Sequence, residues 1–527
     1  MNRLTKRLAR LEPPDLARLQ RGIEKESLRT TPDGDLALTP HPAALGSALT
    51  HPHITTDFSE SQPELITGVH ATPADCLAEL TEVHQFVYRN IGDELLWASS
   101  MPCGLPEDER IPLGRYGKSN VARAKTVYRQ GLSHRYGRRM QTISGIHYNF
   151  SLPESAWPVL QQADGQGGSE QAFRTAAYFA LIRNFRRHSW LPLYLFGASP
   201  ALCSNFLDGQ PHALQQLTSS TLYLPHATSL RMGPLGYQSE AQASLAVSYN
   251  CLDSYAASLR WALTEPYPAY ERIGIHDGNG LYRQLATTLL QIENEFYGTI
   301  RPKRRIRSGE RPLRALAERG VEYVEVRLMD LDPFTPIGIT VETLRFLDVF
   351  LLHCLLSDSP QDTPDEIAAI SQNQHRVAQQ GRDPKLKLRR GSAEASLPQW
   401  GAELLRECEP IAAALDSAAG AAQGGPVYGE ALAAASLRLA DPSATPSARV
   451  LRELGNYGDS FRAFALDRSL EHRRLLLERP MSAEALARQQ RLAAESLVEQ
   501  TAIEASETMP FETYRQHYLA GTLPIGA

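Results

Sequence analysis

Apolar and polar residues alternate most cleanly along Val321–Leu328, where Val324, Val326 and Leu328 fall on one face and Tyr323, Glu325 and Arg327 on the other. A period of two predicts a strand with one face on the core and the other lining something wet or charged. The same reading puts Glu24 and Glu26 on one face of a strand near the N-terminus. It puts His147 and Asn149 on one face of a strand over Gln141–Leu152, opposite Ile146, Tyr148 and Phe150. Ile54–Glu60 and Glu64–Thr67 are also strand-like. Asp57 and Glu64 would face opposite ways on one unbroken strand, so a bulge or break at Pro63 is expected to bring them together.

Helical spacing and caps predict the remaining elements. Residues 1–20 read as a basic amphipathic helix ending near Pro13-Pro14. Thr72-Pro73 starts a helix running to about Trp97, with Thr as N-cap and Pro at the first position. Further helices are expected over Ser119–Tyr136 and Ser169–Trp190, and from near Gln238. Turns are expected at Pro32–Asp35, leading back into Leu36–Thr39, and in the loops 165–168, 231–236 and 418–425. From Thr340 onward the pattern is helical, interrupted at Pro384, Pro398, Pro442 and Pro480. Strands before and helices after predict an α+β fold: a catalytic sheet region over 1–340 with an N-terminal helix, and a mainly helical part over 341–527 packed on it. No internal repeat is visible.

With 527 residues the chain can bury a large core. Its 42% hydrophobic and 21% charged residues are those of a globular protein, and a net charge of −5 gives no reason to expect a nucleic-acid partner. The N-terminus has no secretory pattern. The most apolar stretch, Ser189–Ala201, is too short and too interrupted by proline to span a membrane. Cys76, Cys103, Cys203, Cys251, Cys354 and Cys408 form no C-x-x-C pair and no zinc spacing. A cytoplasmic, largely reduced protein is therefore expected.

The strand-borne acids carry the chemistry. Glu24, Glu26, Asp57, Glu60, Glu64 and Glu325, with His147, form a mainly oxygen ligand set that suits Mg²⁺ or Mn²⁺ better than zinc. Each has a plain explanation alone, a solvated strand face beside Lys25 and Arg29 for the first pair. Together they need cations to be tolerable on one surface. Arg129, Arg231 and Arg327 can clamp a carboxylate or phosphate, and Tyr128 and Tyr237 can bind an amino acid. The basic run 301–307, including Arg301 and Lys303, reads either as a solvated loop or as a phosphate-facing one. There is no P-loop and no G-x-G-x-x-G after a strand, so any ATP is held by metals and a sheet.

The blocks RGIEKESLRT, HPAALGSALTHPHITTDFSESQPELITG, LSHRYGRRMQTISGIHYNFSLP, YLFGASPALC, ATSLRMGPLGY, QIENEFYGTIRPKRR and VEYVEVRLMDLDPFTPIGI resemble the bacterial glutamate–cysteine ligases of the proteobacterial type, from about residue 20 to 350 and more loosely beyond. The resemblance implies a curved, mainly antiparallel sheet like the catalytic sheet of glutamine synthetase, forming a funnel surrounded by helices. It implies ATP-dependent joining of L-glutamate to L-cysteine through γ-glutamyl phosphate, the first step of glutathione biosynthesis. By position it implies metal ligands at Glu24, Glu26, Asp57, Glu64, His147 and Glu325, with Glu60 a weaker match. It places Tyr128, Gln141, Asn149, Arg231, Tyr237 and Arg327 around the substrates and Arg129 at the transition state. Ser61-Gln62-Pro63 departs from the family's small or apolar residues and bears on how Glu64 is placed. The alternatives are another amine acceptor, a non-catalytic nucleotide- or metal-binding regulator, and nucleic-acid binding through 301–307. No membrane partner is implied, and a monomer is the working expectation.

Overall fold

The structure, a computed structural model, describes residues 2–236, 240–243, 245–420 and 425–524. At its centre is a six-stranded sheet built from β1 (Gln20–Glu26), β2 (Ile54–Thr56), β3 (Pro63–Ile66), β4 (Ile146–Ser151), β5 (Ile300–Lys303) and β6 (Tyr323–Met329), in the order β5-β6-β4-β1-β3-β2. Every neighbouring pair is antiparallel. Alternation makes the sheet two-faced. Ile23, Leu65, Ile146, Tyr148, Phe150, Val324 and Val326 are at most 1% exposed and face a helical layer. The opposite face carries the acids. The fold is α+β, as the pattern predicted.

Four departures from the sequence reading have physical causes. Asp57 and Glu64 need no bulge. β2 and β3 form an antiparallel hairpin in which Thr55 pairs with Glu64 and Asp57 N–H donates to Gln62 C=O at 3.0 Å. Reversal of the chain puts both acids on one face, and Pro63, at the first position of β3, is where a strand tolerates proline. A bulge instead falls in β6 between Val326 and Met329, so Met329 takes the register place that alternation gives to Leu328. Residues 1–20 form two short helices, Arg3–Leu8 and Pro13–Ala17, because the proline pair opens the second rather than closing a first. Finally, Cys103 and Cys203, 100 residues apart in sequence, meet as a disulfide with Cα atoms 5.5 Å apart. Spacing along the chain cannot reveal such a pair; the other four cysteines are free, as a largely reduced protein leads one to expect.

Helices α1 (Pro73–Asn90), α2 (Asn120–Tyr136), α3 (Glu170–His188), α4 (Val341–Leu356), α5 (Leu397–Ala419) and α6 (Val427–Ala440) surround the sheet. Thr72, Ser119, Ser169 and Thr340 cap the first four by accepting a backbone N–H, as the sequence suggests for Thr72. α1 stops at Asn90, short of Trp97, because Leu95–Leu96 pairs as a strand with Arg29–Thr30. The main hydrophobic cluster runs from Leu4 to Ala493, joining the sheet to helices on both sides of residue 340. No helix among the described residues is long and apolar enough to cross a membrane.

The N-terminal helix is anchored by charge. Asp164 receives Arg7 at 2.5 Å and Arg3 at 2.8 Å, and Arg7 also donates to Leu355 C=O at 2.6 Å. Burial opposes ionisation of Asp164, but the two arginines outweigh it and hold the carboxyl at about 2 against an ordinary 3.8. Its stabilisation is therefore complete above the ordinary value and lost as pH falls through the depressed one. Asp164→Asn is expected to lower the denaturation midpoint at neutral pH. The gap to the parent should narrow as pH falls below about 5 and close only at about 2 and below, and a gap constant from about 5 to about 2 contradicts the pairing.

Candidate active site

The acidic face is assembled by register. Glu24 sits beside His147, Glu26 beside Glu64, and Glu325 lies between Asn149 and Arg301. Glu24 Oε2 is 3.2 Å from His147 Nδ1, and Glu24 Oε1 accepts from Asn149 Nδ2 at 3.0 Å. His147 Nε2 is 3.8 Å from Glu26, whose other oxygen accepts the Gly145 N–H at 2.7 Å. Donor atoms of Glu24, Glu64 and His147 all lie within 4.8 Å of one another.

The carboxylates divide into two electrostatic groups. Burial would raise Glu325, but Lys303 at 2.9 Å, Arg327 at 3.1 Å and His147 hold it well below the carboxylate range. Burial and Glu325 push Glu24 up, yet the His147 hydrogen bond and Lys303 keep it lowered. At the other end, burial and Asp57 raise Glu26 to about 8. Burial, Glu24, Asp57 and Glu26 raise Glu64 well above its ordinary value. Burial and Arg327 lower the His147 pKa, so its imidazole is neutral, the form that ligates metal. The fixed cations thus serve Glu24 and Glu325, while Glu26 and Glu64 hold protons that a divalent ion could replace.

The other predicted residues occupy varied places. Arg327 stands on this face beside Glu325. Arg301 and Lys303 are not in a loop but on β5, pointing to the acids. One Arg301 nitrogen already donates to the carbonyls of Asn294 and Phe296. The rest of the basic run turns away, with Arg304 and Arg305 paired to Glu322. Arg129 lies over the Tyr116 ring at 4.6 Å and donates to the Asp57 and Thr56 carbonyls, bracing the hairpin tip. Tyr128, next along α2, acts electrostatically on Arg301 and has its hydroxyl pKa raised by burial and Glu295. Gln141 donates to the Tyr297 hydroxyl at 2.9 Å.

Arg231 is 2% exposed. It donates to Arg327 C=O at 2.9 Å, lies 3.5 Å from Asp330, and contributes charge to Glu26 from beneath. Its guanidinium covers Gly145 so closely that a Cβ there would come within 2.0 Å of it, so any side chain at this position would displace the guanidinium. Glu60 is tied to the backbone N–H groups of His41 at 3.0 Å and Arg115 at 2.8 Å, so both of its oxygens already serve the backbone. Tyr237 lies outside the described residues. The two basic neighbours of the first acid pair are buried: Lys25 contacts His84 at 2.8 Å behind the sheet, and Arg29 pairs with Glu94 at 2.6 Å. Lys125 escaped the sequence reading. It sits one helical turn before Arg129, 5.0 Å over Tyr116, and burial lowers it to about 8 while Glu64 pulls it up. Only its i, i+4 spacing to Arg129 on α2 could have flagged it.

The family model for glutamate-cysteine ligase matches residues 6–377. The chain belongs to the glutamate–cysteine ligase family. It is 50% identical over 526 residues to the glutamate–cysteine ligase of Pseudomonas paraeruginosa, covering 99% of each chain. The Alcanivorax borkumensis glutamate–cysteine ligase is 48% identical, covering 95% of this chain and 96% of its own. Among solved structures, the Francisella tularensis glutamate–cysteine ligase in complex with AMP superposes with a TM-score of 0.90 at 36% identity, over 96% of this chain and 98% of that one. A bifunctional glutathione synthetase from Pasteurella multocida gives 0.74 at 26% identity, over 94% of this chain and 58% of that one. Within the glutamate–cysteine ligase family, the six-stranded sheet with its acidic face is the feature this chain's own geometry singles out.

Proposed function

We propose that the acidic face joins the γ-carboxyl of L-glutamate to the amine of L-cysteine with ATP, forming γ-glutamylcysteine, ADP and phosphate, the first step of glutathione synthesis. The observation that carries this reading is the convergence of Glu24, Glu64 and His147 within 4.8 Å on a face that also presents Arg301, Lys303 and Arg327. The donor set fits Mg²⁺, or Mn²⁺: carboxylate oxygens plus one neutral imidazole, with two carboxyls still protonated in the protein alone. Glu24, Glu64 and His147 would hold the ion, with Glu26, Asp57 and Glu325 completing the oxygen shell. Such an ion neutralises charge on the phosphates when bound.

The protein's own groups position and polarise. Lys303 and Arg301, on the edge strand, receive the ATP phosphates. Arg327 faces the transferring phosphoryl group. A γ-carboxylate oxygen of glutamate attacks the γ-phosphorus in line, the bond to the β-phosphate oxygen breaks, and ADP leaves. The amine of cysteine then attacks the acyl carbon, loses a proton, and expels phosphate. Asn149, Gln141, Tyr128, Arg231 and Tyr237 surround the amino acids, and Arg129 steadies charge near Asp57. Nothing in this sequence needs a serine or cysteine nucleophile. A cytoplasmic monomer fits this role.

Coupled ADP measurement, omitting glutamate, cysteine, ATP or Mg²⁺ in turn, tests the reading. Turnover should need all four, and ADP formation independent of glutamate overturns it. If cysteine runs no faster than alanine or glycine as acceptor, the acceptor assignment fails. Arg129→Ala should lower kcat by about 10²-fold, the scale for one preorganised donor, and a loss under about threefold would remove it from the chemistry.

A further inference from the structure

A second group of donors meets behind the sheet, where three helices come together. His188 ends α3, and His353 and Cys354 are consecutive on α4. One ligand atom from each lies within 4.8 Å of the other two. On α5, Glu407 Oε2 is 2.8 Å from His353 Nε2. With Nε2–H donating to that carboxylate, the Nδ1 lone pair of His353 faces the other way. It is buried with no hydrogen-bond partner, and so is Nδ1 of His188. His353 is 1% exposed and Cys354 0%. Leaving such a buried polar atom unpaired costs about 1–3 kcal/mol, so two of them beside a thiol ask for an acceptor of lone pairs. Ring packing alone, His188 against His353 at 6.1 Å and Trp400 at 6.0 Å, does not supply one.

We propose that His188, His353 and Cys354 form a structural site for Zn²⁺, with Glu407 orienting His353. Two imidazoles and a thiolate suit zinc and not Mg²⁺, which separates this site from the acidic face. A carboxylate on the far nitrogen of a ligating histidine is the usual outer support of such a site. Loading breaks the Cys354 S–H bond, forms S–Zn and releases the proton to solvent, so affinity rises with pH. Burial and nearby Cys408 raise the Cys354 thiol well above its ordinary value, which keeps it protonated and inert until a cation arrives. A water takes the fourth position. Zinc bonds of about 2.0–2.3 Å require the donors to draw in by up to about 1 Å. His188, half-buried at a helix end, has the freedom to do so. The ion ties the end of α3 to α4 and, through Glu407, to α5.

The test uses the full chain, stripped with a chelator and returned to excess Mg²⁺, with Co²⁺ as the spectroscopic probe. One equivalent of Co²⁺ should produce a thiolate-to-cobalt charge-transfer band in the near ultraviolet, and Zn²⁺ should displace it. Cys354→Ser should abolish the band, while Cys251→Ser, at the exposed cysteine, should keep it. Glu407→Gln should weaken binding about 10- to 100-fold and leave Mg²⁺-dependent ADP formation unchanged. If Cys354→Ser does not fold, His188→Asn should show the same loss of affinity. No band in the parent protein, or a band that survives both Cys354→Ser and His188→Asn, overturns the proposal.

Discussion

Glu24→Gln is expected to lower kcat for ADP formation by on the order of 10²–10³-fold, equivalent to about 2.7–4 kcal/mol of transition-state stabilisation, with no more than a small fall in the thermal midpoint. The substitution keeps the shape and the acceptor for Asn149 but removes a charge that His147 and Lys303 hold in place. Glu24 stands between the cation-served Glu325 and the protonated Glu64, so its charge is the one both ends of the site share. Losing it weakens the cation's hold where the phosphoryl group transfers. It relieves repulsion with Glu325 but forfeits the His147 and Lys303 attractions that hold Glu24 below its ordinary pKa, so the midpoint should fall only slightly. Near-normal turnover at saturating Mg²⁺ would remove Glu24 from the metal set, and a collapsed midpoint would make it a structural residue.

Asp348→Ala is expected to destabilise the protein by about 3–5 kcal/mol, the scale for removing one partner of a buried ion pair. Asp348 on α4 is 0% exposed and reaches the apolar side of the sheet. Its carboxylate lies 3.0 Å from Arg21 of β1, accepts from the Tyr148 hydroxyl of β4 at 2.6 Å, and from Tyr428 of α6 at 3.4 Å. Burial works against the Arg21 charge, but Asp348 more than offsets it, and the guanidinium holds its proton more tightly than usual. Without Asp348 that cation is stranded at 2% exposure and two hydroxyls lose their acceptor. The urea midpoint should fall sharply. Arg21→Met with Asp348→Leu should recover much of the loss, because an apolar pair carries no stranded charge. A shift under about 1 kcal/mol for Asp348→Ala contradicts the assignment.

What the sequence makes legible is periodicity. Glu24 with Glu26, His147 with Asn149, and Glu325 with Arg327 share a face because strand side chains alternate, and the structure brings these pairs to one surface. What stays hidden depends on chain reversal or on contacts between distant segments. Asp57 meets Glu64 through a hairpin, which alternation along one strand cannot express. The extra residue in β6 moves Leu328 out of register, a change of pairing with no local signature. Glu60 looks like its neighbouring acids, but its oxygens go to backbone N–H groups of two other segments. Arg231 reads as a clamp from its residue type, and only the fold shows how closely its guanidinium packs on Gly145. Lys25 shows the same limit from the other side: alternation places it opposite the acids, and only the fold shows that side to be closed.

Binding of Mn²⁺ in the presence of ADP, followed by the loss of the free-ion paramagnetic resonance signal, tests the acidic face most directly. The parent chain and Cys354→Ser should bind with equal affinity, while Glu24→Gln and Glu64→Gln should each bind at least about tenfold more weakly, a loss of about 1.4 kcal/mol. Equal binding by all four proteins would contradict a metal site at Glu24, Glu64 and His147.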